Sequence, residues 1–359
     1  MHPPPRSAYI HVPFCRHRCG YCNFTLIAGR DDLVGAYLAA LSKELERLET
    51  PREVDTLFFG GGTPTHLPPG DLETLLTLAR RWFPPAPNAE ISVEANPLDL
   101  TEERCEILRD QGVNRISLGV QSFSDRKLEI LERDHRSGEI QQAVQRAKGA
   151  VGPQGSVSLD LIFGAPGESA AEWRSDLAEA VALHPTHVST YGLTFEKGTQ
   201  FWNRLARGEL AQLPEEEEGT LYEIAIDLLE EAGFEHYEVS NFARPGFRCR
   251  HNEAYWSVAP YYAAGPGAAR YVNGRREVNH RSTTTWMRRL TAGESPVAES
   301  EELNDEDRAR ERLVIGLRRM HGVDSAAFFE HTGRTIESLV GEALPPLLAQ
   351  GLLEWHGGS

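Results

Sequence analysis

The feature that most constrains this 359-residue chain is a strand–loop–helix pattern that recurs through its first 200 residues. Short β-branched runs predict strands, and each is followed by a glycine-rich or polar loop and an amphipathic helix. The runs cover residues 7–12, 56–59, 91–95, 115–120, 157–163 and 188–193. A helix between two strands makes the connection long enough for the strands to lie parallel in one sheet. The pattern predicts an α/β barrel or part-barrel, with chemistry at the C-terminal ends of its strands.

The pattern changes after residue 200. A helix with an acidic start precedes a strand-like run, an aromatic and glycine-rich stretch, and further helices. This order predicts a smaller α+β domain over residues 201–359, after a first domain over residues 1–200. The acidic run at residues 215–218 is expected to be the solvated first turn of its helix.

The charge balance limits the partners. The chain has 37 Lys and Arg against 53 Asp and Glu, a formal net charge of −16. Such a balance argues against a broad nucleic-acid-binding surface. No apolar run is long enough to span a bilayer, and the start lacks a signal peptide pattern, so a cytoplasmic location is expected.

Cys15, Cys19 and Cys22 lie within eight residues, in the loop after the first predicted strand. This density suits a metal centre in a reducing compartment better than a disulfide framework. A tetrahedral zinc site needs a fourth ligand, which His11 or His17 could supply. A cubane iron–sulfur cluster normally takes four thiolates, so three would leave one iron open to another ligand. The spacing favours the cluster, since structural zinc sites usually take their second pair of ligands from a distant segment.

Further polar residues follow the next strands. The segment FFGGGTPT closes the second strand, and its glycines are expected to leave amide N–H groups for a carboxylate or phosphate. A tight turn without a ligand is the alternative. Glu94, Gln121 and Asp160 close later strands, where the two carboxylates either cap neighbouring groups or face a polar pocket. Their position at successive strand ends favours a shared ligand.

These segments, in this order, resemble the radical S-adenosylmethionine superfamily, in its branch of oxygen-independent coproporphyrinogen III oxidase and relatives. The resemblance rests on the three cysteines after YIHVPF, then GGGTP, Glu94, GVQSF and DLIFGAPGE. It implies a radical-SAM partial (β/α)6 TIM-like barrel with a [4Fe-4S] cluster on Cys15, Cys19 and Cys22. The amino and carboxylate groups of S-adenosylmethionine would bind the open iron. It also implies a winged-helix-like end, which is expected to be truncated at Ser359.

The resemblance assigns further cofactor contacts. Tyr9 before the cluster loop, Tyr21 within it, and Glu94 would contact the cofactor, Glu94 at the methionine or the ribose. The segment Gly61, Gly62 and Thr63 would lie near the methionine moiety. Three more residues match positions that bind a second cofactor molecule in the oxidase: Gln121, Arg133 and Asp160. For Arg133, a solvated position on a helix is the alternative.

Two local features separate the functions within this branch. The oxidases have a further cysteine two residues after the third, where this chain has Phe24. The segment HNEAYW matches the H-N-x-x-Y-W motif of the heme chaperone family HemW; it comprises His251, Asn252, Glu253, Ala254, Tyr255 and Trp256. Imidazole is a common heme ligand, and the two aromatic rings offer flat faces to a macrocycle. A hydrogen-bonded core histidine is the alternative.

The sequence therefore predicts a heme chaperone that binds heme, transfers it to acceptor proteins, and carries a [4Fe-4S] cluster and S-adenosylmethionine. No coproporphyrinogen oxidase activity is required of it. One alternative is an oxygen-independent coproporphyrinogen III oxidase, which decarboxylates the propionates of its substrate by radical chemistry. Another is a radical-SAM enzyme with a different substrate. The expected partners are heme and heme-accepting proteins, and not nucleic acid. Any transient docking to heme proteins of a membrane would take place through protein contacts.

Overall fold

The computed structural model describes residues 4–356. All the predicted strands of the first 200 residues are present: β1 (Ser7–Val12), β2 (Val54–Gly61), β3 (Pro85–Ala95), β4 (Arg115–Gln121), β5 (Ser156–Phe163) and β6 (His187–Gly192). Each pairs in parallel with the next along the chain. This arrangement confirms the predicted α/β part-barrel.

Helices connect these strands: α1 (Val34–Glu46), α2 (Pro69–Trp82), α3 (Glu102–Asp110), α4 (Asp125–Ile130), α5 (Ser137–Val151) and α6 (Ala170–Ala182). Short 3₁₀ turns cover Asp31–Leu33, Pro64–His66 and Pro97–Asp99. The helix α6 begins with a capping box, in which Ser169 accepts from the Glu172 amide and Glu172 accepts from the Ser169 amide. The apolar stripe of α2, from Leu72 to Ala79, is fully buried against the sheet.

The C-terminal segment adds strands to both edges of this sheet. They are β7 (Glu235–Glu238), β8 (Asn241–Ala243), β9 (Tyr261–Ala264), β10 (Ala269–Val272), β11 (Arg275–Asn279) and β12 (Val297–Glu302). The sheet has twelve strands in the order β12-β11-β10-β9-β1-β2-β3-β4-β5-β6-β8-β7. In the described part of the chain its two edge strands do not pair, so the barrel is partial.

The sheet thus continues across residue 200, and the division into two domains at that residue stays a prediction. The remaining helices are α7 (Gln200–Ala206), α8 (Glu215–Glu231), α9 (Arg250–Trp256), α10 (Thr283–Thr291), α11 (Asp305–Gly316), α12 (Ser325–Thr332), α13 (Ile336–Val340) and α14 (Leu344–Ala349). The acidic run forms the first turn of α8, mostly exposed, as predicted.

The end of the chain is a helical unit with a small core of its own, built from Ala309, Leu313, Phe328, Ile336 and Leu339. The truncation predicted at Ser359 lies outside the described residues. Over residues 4–356, no helix combines the length and the apolar character that a membrane crossing needs.

Candidate functional site

A cavity of about 360 Å³ opens at the C-terminal ends of the parallel strands. Its wall brings together most of the residues predicted from the sequence: Cys15, Cys19, Tyr21, Cys22, Gly61, Gly62, Thr63, Glu94, Gln121, Arg133 and Asp160. They converge because parallel strands direct all their following loops to one end of the barrel. The structure therefore places these residues around one cavity, and their assignment to a binding site stays a prediction.

The cysteine loop is held in place by hydrogen bonds to its own backbone. Two short strands, Phe14–Cys15 and Ile27–Ala28, pair in parallel and bring its ends together. The Arg18 guanidinium donates to the carbonyl oxygens of Cys22 at 3.3 Å and Leu26 at 2.7 Å. All three cysteines of the loop are free thiols at the cavity. The loop thus forms without a disulfide.

The environment of the thiols fits a cationic cluster. Burial, with a smaller contribution from the nearby Cys22 and Cys19 thiols, raises the pKa of Cys15 to about 12. Burial also raises the pKa of Cys22. Three thiolates in this place would repel one another, so binding them as ligands requires positive charge such as iron provides. The Cys15 sulfur lies 3.1 Å from the Thr63 hydroxyl, which can donate to a thiolate.

The zinc alternative finds less support in this geometry. The His11 Nε2–H donates to the Thr25 carbonyl oxygen at 2.6 Å, and the Tyr9 hydroxyl donates to His11 Nδ1 at 3.1 Å, so neither ring nitrogen is available. His17 lies exposed at the cavity. Among residues 4–356, no three His, Cys, Asp or Glu side chains are placed to hold a single metal ion. A multi-iron cluster spreads its thiolates over several metal atoms and does not need such convergence.

The glycine loop shapes the cavity wall by close backbone contact. Gly61 has φ +111°, and a Cβ there would lie 2.4 Å from the His11 ring. A Cβ on Gly62 would lie 2.5 Å from the Phe14 carbonyl oxygen. Only glycine fits both positions, because a side chain would push this loop away from the strand that leads into the cysteines.

The expectation that this loop leaves amide groups free for a ligand is wrong. The Gly61 amide donates to Glu94 Oε2 at 2.9 Å. The amides of Gly62 and Thr63 donate at 2.7 Å to the carbonyl oxygens of Val12 and Phe14. The three donors thus hold the second strand end against the first and the third, and a ligand meets the loop through its surface rather than its N–H groups.

Both predicted carboxylates have partners and also face the cavity. Burial raises the pKa of Glu94 to about 7, and the nearby charge of Asp160 adds to this rise. Asp160 accepts from the Ser117 hydroxyl at 2.9 Å and from the Ser158 hydroxyl at 3.3 Å. Burial raises its pKa as well. A pair of carboxyl groups held at raised pKa is suited to accept from hydroxyl or ammonium donors of a polar ligand.

Gln121 and Arg133 both line the cavity, and each lies where the backbone departs from regular strand or helix. Gln121 ends β4 with φ +66°, next to a register shift between β4 and β5. Arg133 lies in the turn between α4 and α5, where its guanidinium donates to the Gly119 carbonyl at 2.9 Å and to Cys19 Sγ at 3.6 Å. The alternative of a solvated helical Arg133 is therefore wrong, since its Nε atom is buried and has no partner among the described residues. Left-handed backbone at a non-glycine residue is costly and is often found at binding sites.

A buried ion-pair network holds the loops after β4 and β5, and the sequence reasoning missed it. Lys127 is 1% exposed and bonds to Glu168 and, at 3.0 Å, to Asp176. Asp176 also accepts from the Ser122 hydroxyl and the Phe123 amide, each at 2.7 Å. This network fixes the segment that follows Gln121. Lys127 lies more than 40 residues from both Glu168 and Asp176 in the chain, so local sequence patterns give no signal for the network.

Other cavity residues were also missed. Tyr191 lines the wall near the end of β6 and is 43% exposed. Arg16 donates to Asp99 at 2.8 Å and lies 3.5 Å from Asp134 at the cavity. The position of Tyr191 at a strand end was the available signal, since every other parallel strand also contributes a residue there.

The HNEAYW segment forms helix α9 on the inner side of the barrel. His251 is 2% exposed, its Nδ1 lies 2.8 Å from the Thr56 hydroxyl, and its Nε2 lies 3.1 Å from the Tyr255 hydroxyl. Its ring stacks on Phe58 with centroids 5.0 Å apart. Burial lowers the pKa of His251 to about 3, so the ring is neutral. Each ring nitrogen therefore has a protein partner in this state.

The start of α9 is anchored to strands of the barrel. The Glu90 carboxylate accepts from the amides of Arg250 at 3.1 Å and His251 at 3.2 Å, where the helix dipole favours an anion. The Tyr237 hydroxyl accepts from the Cys249 amide at 3.3 Å. These contacts hold the motif in place before any ligand arrives.

The remaining predicted contacts surround His251. Tyr9 is not among the cavity-lining residues; its ring stacks on Phe58 at 6.0 Å and lies 6.4 Å from the His251 ring. Asn252, Tyr255 and Trp256 are all partly exposed on α9. The predicted roles of these four residues stay predictions.

Comparison with known proteins agrees with this architecture. Residues 9–180 match the Radical SAM superfamily, and residues 303–359 match the HemN C-terminal domain. The heme chaperone HemW of Bacillus subtilis is 36% identical over 97% of this chain and 92% of its own length. The heme chaperone HemW of Escherichia coli is 35% identical over 98% of this chain and 92% of its own length.

A solved structure has the same fold. The coproporphyrinogen III oxidase HemN of Escherichia coli, described as a radical SAM enzyme, superposes with a TM-score of 0.86. The superposition covers 98% of this chain and 85% of that chain at 22% identity, so it concerns the fold alone. The high identity to the chaperones over nearly the whole length is what assigns the family. The chain belongs to the radical SAM superfamily and, within it, to the family of the heme chaperone HemW.

Proposed function

We propose that this chain binds heme and transfers it to acceptor proteins, and that it carries a [4Fe-4S] cluster and S-adenosylmethionine in the cavity. The observation that carries the proposal is the presence of the HNEAYW helix, with His251 on it, in a chain of the HemW family. Relatives named as heme chaperones match nearly the whole chain. The proposal places the chain in the cytoplasm, because its five cysteines are free thiols that suit a reducing compartment.

The cavity supports the cluster part of the proposal. Cys15, Cys19 and Cys22 would hold the cluster, which supplies an open iron atom for the amino and carboxylate groups of S-adenosylmethionine. The Thr63 hydroxyl would donate to the Cys15 thiolate of a bound cluster, and Arg133 places a positive charge near Cys19. Glu94 would accept from a donor group of the cofactor, and Asp160 offers a second acceptor in the same cavity.

Heme binding at α9 requires a local change. His251 can ligate iron only when one of its ring nitrogens leaves Thr56 or Tyr255. Nε2 is the better candidate, because its partner Tyr255 is on the same partly exposed helix, whereas Thr56 lies in the barrel wall. Tyr255 and Trp256 would then pack on the macrocycle.

The oxidase alternative is less well supported. The position at which the oxidases have a fourth thiol is occupied by Phe24, which lies at the cavity with 62% of its surface exposed. An exposed phenyl ring at the cavity neither ligates metal nor transfers a proton. It does offer an apolar contact to a ligand or a partner protein.

One experiment compares the two functions directly. The full chain is reconstituted anaerobically, titrated with heme, and assayed in parallel for turnover of coproporphyrinogen III. We expect heme binding with a Soret shift, no protoporphyrinogen product, and weaker binding in His251→Ala. His331→Ala, which removes an exposed histidine of α12, serves as the control and should bind heme like the wild type. Conversion to protoporphyrinogen, or unchanged affinity in His251→Ala, would reject the chaperone function.

A second variant tests the proposed ligand atom without disturbing the core. Tyr255→Phe keeps the ring and removes the hydroxyl 3.1 Å from His251 Nε2. Since that hydroxyl competes with iron for the nitrogen, we expect equal or tighter heme binding. A loss as large as that in His251→Ala would argue against ligation through Nε2.

Cysteine substitution tests the cluster separately. Cys19→Ser should abolish the visible absorbance of the reconstituted cluster. Cys105→Ser, which replaces a buried cysteine on α3, should leave this absorbance unchanged. Full iron content in Cys19→Ser would contradict the ligand assignment.

A further inference from the structure

Two arginines beside the α9 motif lack good carboxylate partners. Arg312 on α11 donates to the Ser257 carbonyl oxygen at 2.9 Å, directly after the motif. In the part of the chain that the structure describes, it forms no ion pair with an Asp or Glu. Its side chain is half-buried, and this burial lowers the pKa of Arg312. A partly buried cation without an anion is costly.

Arg318 is the second of these residues. Its guanidinium lies 4.4 Å above the Trp256 ring. Its Nε has no hydrogen-bond partner among the described residues, and neither does the buried Nε1 of Trp256. Within residues 4–356, Arg318 forms one ion pair, with the fully buried Glu238 at 3.6 Å. Two N–H groups beside the motif, Arg318 Nε and Trp256 Nε1, therefore have no partner among the described residues, and Arg312 donates to a carbonyl oxygen rather than to a carboxylate.

Flat aromatic groups surround these donors. Tyr255 meets Tyr261 edge to face with centroids 4.6 Å apart. Together with Trp256, these rings provide apolar and flat surface next to positive charge. A ligand that matches both properties is a planar molecule with acidic groups at one edge.

The arrangement is specific to this side of α11. On the same helix, Arg308 pairs with Asp305, and Arg310 pairs with Glu306 at 2.9 Å. The chain as a whole has an excess of acidic residues, with a net charge of −16. Arg312 thus differs from the two preceding arginines of the same helix, which pair with carboxylates.

We propose that Arg312 and Arg318 bind the two propionate carboxylates of a porphyrin that lies against α9. This inference rests on the proposed heme-binding function and names the groups that recognise the acidic edge of the ligand. Guanidinium groups bind carboxylates through paired N–H donors, and the Trp256 indole N–H supplies a further donor. Arg318 would keep its contact with Glu238 through Nη2 and donate to the ligand through Nε, which has no partner among the described residues.

The test separates recognition of propionates from ligation of iron. The full chain is titrated with heme, with iron-free protoporphyrin IX, and with heme dimethyl ester, in which the propionates are uncharged. The variants are Arg312→Gln and Arg318→Gln. Arg308→Gln, on α11 like Arg312, is the matched control. We expect each test variant to bind heme and protoporphyrin IX about tenfold more weakly, from the loss of one charge-assisted contact. The control should bind like the wild type.

The dimethyl ester decides whether the effect goes through the propionates. We expect the wild type to bind the ester more weakly than heme, and Arg312→Gln to change ester binding less than twofold. Equal losses for heme and ester would overturn the inference, because they would indicate a structural role. Unchanged heme affinity in both variants would also overturn it while leaving the proposed function standing. Absence of heme binding by the wild type would reject both.

Discussion

Replacing Lys127 by methionine tests how strongly the buried ion pairs stabilise the loops at the cavity. Methionine keeps most of the side-chain volume and its packing near Trp173, where the Lys127 ammonium lies 4.9 Å from the ring centroid. It removes the Lys127 ammonium, which contacts both Glu168 and Asp176. All three side chains are buried. Breaking a buried pair by removing one partner costs about 3–5 kcal/mol, because the remaining charge is uncompensated. We expect a loss of that size in the free energy of unfolding.

The assay is urea denaturation at pH 7.5 and pH 5, with Lys197→Met as the control at an exposed lysine. Burial raises the pKa of Glu168 and the Lys127 ammonium opposes this rise, so the pKa rises further in the variant. A carboxyl group whose pKa is higher in the folded state takes up protons on folding, and stability then increases as the pH falls. The deficit of Lys127→Met should thus be smaller at pH 5. A deficit below about 1 kcal/mol at pH 7.5, or equal to that of Lys197→Met, would refute this reasoning.

Two further predictions concern the glycine loop and its acceptor. Glu94 has its pKa raised to about 7, so wild-type stability should fall as the pH rises from about 4.5 to 7, and Glu94→Gln should flatten this dependence by about 3 kcal/mol. If the free energy of unfolding of the wild type and of Glu94→Gln, measured without added S-adenosylmethionine, changed equally with pH, this prediction would be wrong. Gly61→Ala should destabilise the chain by about 2–3 kcal/mol through contact with His11 and its φ of +111°. Gly70→Ala, which meets no atom within 4 Å, is the control, and equal thermal stabilities of the two variants would disprove the steric argument.

The barrel was predictable because its signals are local. Each parallel strand is a β-branched run, and each connecting helix has an apolar stripe, as in α2. Once the strands are parallel, their C-terminal ends must meet, so Glu94, Gln121 and Asp160 were correctly expected to share a cavity with the cysteines. The same argument would have found Tyr191 if it had been applied to the sixth strand.

The partners of polar groups were not predictable, since they come from distant segments. The Gly62 and Thr63 amides donate to the carbonyl oxygens of Val12 and Phe14, which precede the cysteine loop. Arg133 lies in a turn rather than on a helix, because α4 ends at Ile130. His251 bonds to Thr56, 195 residues away in the chain. No periodicity or spacing in the sequence encodes such a pairing.

The sequence by itself determined the order of strands and helices in the barrel, the three thiols in one loop, and the motif residues available for heme. These properties depend on residue type and local spacing alone. Only the tertiary structure decided which polar groups remain available to a ligand: it engages both nitrogens of His251 and leaves Arg312 without a carboxylate. The physical reason is that the availability of a donor or acceptor depends on burial and on partners that folding brings from far along the chain.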